Sequence, residues 1–313
     1  MGLEVKELVK SYSGKVVVDH LSFVMDRPGV YALLGTNGAG KTTSIRMILD
    51  MLSKDSGEVT FNGDTFSIKK VNVGYLAEER GLYPKVSLMD QMHYFASLKG
   101  VSKKKADENI RYWADRLKID EYFYPKPAPG KKVAKPYRAD QLSKGNQQKV
   151  QLMAALISDP EFIILDEPMS GLDPVNTDLF RQIIHEEAQK DKYIIMSSHQ
   201  MATIEEFCSD LTILNRGKTI LQGNLNEIKK SYGRVNLLIK ADSDISSYVE
   251  AMNLKVTEKT PEFTRIKLTE ESQAGVLLTK LVSDKVPIVR FELDEPSLHE
   301  IFVEKVGESH EEE

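Results

Sequence analysis

The chain has 313 residues, with 42 Lys and Arg against 47 Asp and Glu, a formal net charge of −5. At about 150 residues per domain, that length suggests roughly two domains, each able to bury a core without staples. With 41% hydrophobic and 28% charged residues, the composition excludes a largely disordered or fibrous chain. The mild acidic excess gives no general electrostatic case for nucleic acid or an anionic membrane surface as main partner. Cys208 is the single cysteine, so no internal disulfide and no Cys-rich zinc site can be built, which fits a reducing cytosol. Residues 1–10 lack the apolar stretch of a signal peptide. No run reaches the roughly 18 apolar residues of a spanning helix, so the chain is expected not to cross a membrane itself.

In chain order, residues 3–9, 21–25 and 29–34 have strand character, the last bounded by Pro28 and Gly35. A glycine-rich turn then leads into a helix expected over 41–52, with Ile45, Ile48, Leu49 and Leu52 at helical spacing. Strand, glycine-rich loop and helix open an α/β unit with a parallel sheet. The spacing predicts helices over 87–99, with Met89, Met92, Phe95 and Leu98 on one face, and over 102–118, where Trp113 reads as packing. Pro125, Pro127, Pro129, Gly130 and Pro136, interleaved with Lys126, Lys131, Lys132 and Lys135, mark 121–138 as an irregular loop. Its lysines read as a solvated surface, with phosphate or lipid contact as the competing reading.

Residues 162–165 and 193–196 read as two further buried strands, with a helix near 175–190 between them. Cys208, on a helix after His199, reads as a small buried hydrophobe. Beyond residue 234 the pattern changes. Strands at 235–240, 254–258, 263–268 and 287–293, with helices at 244–252 and 271–284, spell β-α-β-β-α-β, the order of a small ferredoxin-like domain. A helix at 297–305 closes it, and 306–313 is a charged end expected to be disordered.

Two segments carry chemistry. Gly35-Thr36-Asn37-Gly38-Ala39-Gly40-Lys41-Thr42 fits G-x-x-x-x-G-K-[ST], placed between a strand and a helix as the motif requires. Glycines let backbone N–H groups close around phosphate, and the helix N-terminus adds its positive dipole end. Lys41 is expected at the β- and γ-phosphates and the Thr42 hydroxyl on Mg²⁺. In Phe162-Ile163-Ile164-Leu165-Asp166-Glu167-Pro168, an apolar strand ends in two carboxylates. Asp166 is expected in the Mg²⁺ shell, and Glu167 is placed to orient or deprotonate the attacking water.

With these two segments in place, the sequence resembles the nucleotide-binding subunit of an ABC transporter over about residues 3–225. The carriers are 35–42 (Walker A), Leu142-Ser143-Lys144-Gly145-Asn146-Gln147-Gln148 (the family signature), Asp166-Glu167 (Walker B), Ser170-Gly171-Leu172-Asp173 (D-loop) and Ser198-His199 (switch histidine), in the family's order. The likeness is strongest to single-cassette ATPases of bacterial ABC-2-type efflux systems, which commonly carry a C-terminal domain ending like Glu295-Pro296-Ser297-Leu298-His299-Glu300-Ile301-Phe302. It implies a phosphate-loop ABC ATPase core over 1–230, with an N-terminal antiparallel β part and a helical subdomain at about 86–150, followed by an α+β ferredoxin-like domain over 234–305. It further implies ATP and Mg²⁺ as cofactors, with Gly35, Thr36, Asn37, Gly38, Ala39, Gly40, Lys41, Thr42 and Thr43 around the phosphates. Tyr12 matches the aromatic that stacks on adenine, His199 the residue that contacts the γ-phosphate, and Asp173 the residue that links two sites across a dimer.

Three positions depart from the family pattern. Glu78 stands where Gln is usual in the loop entering the helical region; a carboxylate still offers oxygen to Mg²⁺ or its water but donates no hydrogen bond when ionised. In the signature, Lys144 replaces a usual Gly and Asn146 a usual Gln or Glu, while Ser143 and Gly145 keep the hydroxyl and amides aimed at phosphate. The proline- and lysine-rich loop before the signature is longer than the family pattern leads one to expect. Each element occurs once, so the resemblance implies that Ser143 and Gly145 complete the site of a second cassette, identical or related, in trans. ATP closes that dimer and hydrolysis reopens it, with residues 78–140 passing the motion to ABC-2-type transmembrane permease subunits at the cytoplasmic face of the membrane. The competing class is a soluble ABC ATPase acting on nucleic acid or ribosomes. One cassette, one cysteine and no long heptad run argue against it, and no nucleic-acid partner is expected. A module that holds ATP without hydrolysing it is opposed by the intact Lys41, Asp166, Glu167 and His199. The role of the C-terminal domain stays open between dimer contact, regulation and contact with the membrane partner.

Overall fold

The computed structural model describes residues 2–79, 81–127 and 135–311, with side chains to 306. The chain divides into two compact units, Met1–Gln222 and Gly223–Glu313.

The first unit opens with an antiparallel hairpin, β1 (Leu3–Tyr12) and β2 (Lys15–Met25). Ser13 and Gly14 both have positive φ in its two-residue turn, the geometry that matches strand twist. The second strand starts at Lys15 rather than 21: Val16, Val17 and Val18 already belong to it, with Val18 fully buried, and Asp19 and His20 interrupt the apolar run before Leu21. β3 (Gly29–Gly35) follows, buried from Val30 to Gly35, and runs through the phosphate-loop motif into α1 (Lys41–Ile48). That helix stops four residues short of the expected 52: Asp50 turns the chain at φ 55°, and the Met51 and Leu52 amides fold back onto the Arg46 carbonyl. β4 (Ser56–Phe61) and β5 (Asp64–Thr65) complete a four-stranded sheet ordered β2-β1-β4-β5.

β6 (Val73–Leu76) leads to the helical region: α2 (Leu88–Leu98), α3 (Lys103–Arg116), α4 (Asp120–Phe123) and α5 (Lys144–Leu156). The buried side of α2 is Leu88, Gln91, Met92 and Ala96, while Leu98 is 64% exposed. The expected Met89-Met92-Phe95-Leu98 stripe therefore splits: Met92 enters the core, and Phe95 and Leu98 instead wall an apolar groove. Trp113 is buried as expected. Of the 121–138 loop, 121–123 belong to α4 and 128–134 lie outside the described residues.

The remaining strands are β7 (Phe162–Asp166), β8 (Tyr193–Ser198), β9 (Asp210–Asn215) and β10 (Lys218–Asn224), with α6 (Pro174–Ala188) and α7 (Met201–Phe207) between them. The six-stranded sheet is ordered β10-β9-β3-β8-β7-β6. β8 lies between β3 and β7, parallel to both, with Leu33 and Asp166 each in register with Ser197. The ends of β3, β7 and β8 thus converge on one crest, where ligands of open α/β sheets bind. One core joins this sheet to the antiparallel one; Phe61 meets Phe162 edge-on at 5.7 Å, and Phe23 stacks on Tyr31 at 4.5 Å.

In the second unit, α8 (Leu225–Tyr232) precedes β11 (Asn236–Ala241), α9 (Ser246–Ala251), β12 (Lys255–Lys259), β13 (Thr264–Lys267), α10 (Ser272–Ser283) and β14 (Ile288–Asp294). The sheet order β12-β13-β11-β14 is that of the ferredoxin-like pattern. Its core is Leu237, Ile239, Val249, Ile266, Leu277 and Leu281. The closing helix, α11, runs from Leu298 to Glu311. The charged end from 306 is therefore helical to Glu311 rather than disordered, and 312–313 lie outside the described residues. Among the described residues no helix is long and apolar enough to cross a membrane.

Candidate functional site

The phosphate loop closes through its glycines. Gly35 has φ 152°, and a Cβ there would lie 2.4 Å from the Leu214 carbonyl oxygen; at Gly40, with φ 104°, it would lie 2.6 Å from that of Val17. Neither position accepts a side chain, so the loop can wrap tightly at the N-terminus of α1. Asn37, Gly38, Ala39, Gly40, Lys41, Thr42 and Thr43 line a cavity of about 240 Å³ with Val17, Glu78 and Glu167.

Lys41 is buried. Its ammonium donates to the Gly35 carbonyl at 2.8 Å and the Thr36 carbonyl at 3.2 Å, and lies 3.3 Å from Glu167 Oε1. On the other side, His199 Nδ1 lies 2.8 Å from Glu167 Oε2, with the histidine side chain 40% exposed. Lys41, at the start of α1, and His199, just past β8, thus share the carboxylate of Glu167, just past β7. Glu167 itself sits in the left-handed region at φ 50°.

Asp166 is fully buried at the end of β7. Burial raises its carboxyl above the ordinary range, opposed by the Ser197 and Thr42 hydroxyls and by Lys41 and reinforced by the Glu167 charge. Its Oδ1 accepts from Ser197 Oγ at 2.5 Å. Its Oδ2 is buried and has no hydrogen-bond partner among the described residues. A buried carboxylate oxygen left without a partner beside a threonine hydroxyl is the donor chemistry a small hard cation such as Mg²⁺ accepts. The residues present therefore fit the expected metal.

Other expected residues lie apart from this cavity. Ser143 N-caps α5, accepting from the Asn146 amide at 3.3 Å, and a Cβ at Gly145 would lie 3.5 Å from Asn176 Nδ2. Asp173 N-caps α6, accepting from the Asn176 amide at 3.0 Å; hydrogen bonding from that amide holds its carboxyl below the usual range. Tyr12 ends β1 half-exposed, with Lys10 Nζ 5.5 Å from its ring centre. None of Ser143, Gly145, Asp173 and Tyr12 lines the phosphate-loop cavity of its own chain.

Sequence reasoning assigned no individual role to four residues here, although Gln148 stands in the signature. Ser197 accepts from the Glu167 amide at 3.0 Å while donating to Asp166. Gln148, on α5, donates to the Pro168 carbonyl at 2.8 Å, and Gln151, a turn on, to the Glu79 carbonyl at 3.2 Å. Lys149, between them, is buried; burial pushes its ammonium below the ordinary value and Asp173 opposes that shift. Two adjacent serines ending an apolar strand were the available signal for Ser197, and a Gln-Gln-Lys run on a helix for the rest.

A parallel sheet crested by a glycine loop, a buried lysine and paired carboxylates defines a phosphate-loop nucleotide-binding protein. Comparison with known proteins is more specific. A family profile described as ABC transporter matches residues 18–170, and one described as ATP-binding protein DrrA1-3-like, C-terminal domain, matches 223–306. The chain is 39% identical over 306 residues to the uncharacterized ABC transporter ATP-binding protein YhaQ of Bacillus subtilis (strain 168), spanning 97% of this chain and 98% of that protein. A solved ATP-binding subunit of an ABC transporter superposes with a TM-score of 0.64 at 27% identity, over 74% of this chain and 94% of that one. A dimeric ATP-binding cassette in a post-hydrolysis state with ADP and Pi shares the fold at 17% identity and TM-score 0.62, over 71% of this chain and 98% of that one. The chain belongs to the ATP-binding subunits of ABC transporters and is an ATPase of that family.

Proposed function

We propose that this chain is the ATPase of an ABC-2-type exporter, acting as a dimer of cassettes on the cytoplasmic face of the membrane with separate permease subunits. The observation that carries the dimer is the separation of the signature from the phosphate loop: Ser143 caps its own helix through Asn146, a Cβ at Gly145 would meet Asn176, and neither residue is among those lining the phosphate-loop cavity of its own chain. A second copy, identical or related, supplies them in trans. Within one half-site, the loop amides and Lys41 hold the phosphates, and Tyr12 takes the adenine. Thr42, Asp166 and Glu78 would hold Mg²⁺, which would neutralise charge on the phosphates.

Glu167 orients the attacking water or takes its proton. His199, hydrogen-bonded to Glu167 through Nδ1, presents its other nitrogen toward the γ-phosphate. Lys41 leaves the carbonyls and Glu167 when phosphate arrives, so nucleotide binding itself releases the catalytic carboxylate. The apolar groove walled by Phe95, Leu98 and Tyr75, bordered by Ala77 and Gly81 on either side of Glu78, is the surface offered to the membrane subunit. Export as the direction rests on the family likeness and the DrrA-like second unit.

Light scattering on Glu167→Gln with MgATP tests the dimer: a doubling of mass on nucleotide addition is expected for two identical cassettes, and a monomer at saturating MgATP refutes the identical pair. Affinity capture from detergent-solubilised membranes tests the partner. A multi-spanning protein in matched stoichiometry is expected; recovery only from the soluble fraction with ribosomal proteins refutes it.

A further inference from the structure

A serine hydroxyl has one hydrogen to give and lone pairs to receive. At Ser197, a fully buried residue of β8, both capacities are spent on the last residue of β7 and the residue that follows it. The hydrogen goes to Asp166 Oδ1 at 2.5 Å, since an ionised carboxylate only accepts. The lone pair takes the Glu167 amide at 3.0 Å. These contacts fix two things at once. They turn the Asp166 carboxylate so that Oδ2, not Oδ1, is the oxygen left without a partner. They also pin the amide of a residue held at φ 50°, a left-handed conformation that sterics disfavour for a residue with a Cβ.

We propose that Ser197 is a positioning residue for ATP hydrolysis, its single hydroxyl setting the Asp166 oxygen that faces the metal and the place to which Glu167 is carried. The inference rests on the assignment of Asp166 and Glu167 made above. It requires the register of β7 and β8, which places Asp166 opposite Ser197; one residue of slip would face the hydroxyl away. Ser198, the next residue, is turned to a different task and accepts from the Gln200 amide at 2.9 Å.

The test is Ser197→Ala in the full chain, with binding of a fluorescent ATP analogue followed as Mg²⁺ is titrated. Expected is a several-fold rise in the Mg²⁺ concentration for half-maximal binding, unchanged binding without Mg²⁺, and a fall in kcat of tenfold or more with little change in KM at saturating Mg²⁺. Ser197→Thr, which keeps the hydroxyl, is expected to recover most of both; if Ser197→Ala does not fold, Ser197→Cys, with the same shape and a weaker donor, takes its place. A lower melting temperature with Mg²⁺ dependence and kcat within twofold of wild type would overturn the proposal, leaving a merely structural serine. Wild-type protein that binds no nucleotide in the presence of Mg²⁺ would overturn the site assignment and this inference with it.

Discussion

The two sheets at the centres of the two units treat their polar groups in opposite ways. In the first unit, β7 is buried at all five residues and β8 at five of six; both faces are covered, as parallel sheets require. In the second, β12 exposes all five residues, and β14 buries none of its seven completely. A carboxylate at the end of a doubly covered strand has no water to turn to, so its partners must come from neighbouring strands. Asp166 and Glu167 therefore lie in a web of Ser197, Lys41 and His199, while Lys259 and Asp244 of the second unit meet as a surface pair open to solvent. Reactive chemistry concentrates in the first sheet because burial there leaves groups poised and unsatisfied.

Substitution can break that contrast. The largest expected effect is from Glu167→Gln: turnover falls on the order of 10²–10⁴-fold, the range of a general base, with ATP binding retained. Steady hydrolysis near the wild-type rate would move the catalytic carboxylate elsewhere. Leu277→Ala, in the core of the second unit, is expected to destabilise that unit by about 2–5 kcal/mol. Hydrogen exchange would rise in peptides from 236–294 while basal ATPase activity holds; parallel loss of ATPase would mean the two units do not stand independently.

Tyr31→Phe probes the first sheet away from the site. The Tyr31 hydroxyl, buried and 2.6 Å from Thr212 Oγ1, leaves Thr212 without that partner when removed. Denaturant melts should show a loss of about 1 kcal/mol with turnover unchanged.

The last probe is a pH slope. Burial pushes the Cys208 thiol from 9.0 to about 12. Between those values the unfolded chain has lost the thiol proton and the folded one has not, so stability is full below 9 and declines as pH rises through that window. Cys208→Ala should flatten this part of the stability curve, and an unchanged slope would assign it to other groups.

Much of this was legible in advance. The phosphate loop, the carboxylate pair and the β-α-β-β-α-β order each rest on contiguous residues whose spacing carries their geometry. The hairpin of β9 and β10 was not anticipated, although Asn215-Arg216-Gly217 joins them with positive φ at Arg216 and Gly217. The spacing over 87–99 puts Met89, Met92, Phe95 and Leu98 on one face, yet that face divides, Met92 entering the core while Phe95 and Leu98 wall a groove. Periodicity reports which residues share a helix face and is silent on what that face meets.

The sequence by itself determined the class of chemistry, since a glycine loop closing on phosphate and a strand ending in Asp-Glu are local devices that need no distant partner to be recognised. Tertiary structure decided how the carboxylates are held. Strand order placed β8 between β3 and β7, bringing Ser197 to Asp166 across 31 residues of chain and Lys41 and His199 to opposite oxygens of Glu167. The physical reason is that hydrogen-bond partners of buried groups are chosen by adjacency in the sheet, and adjacency is a property of the folded chain.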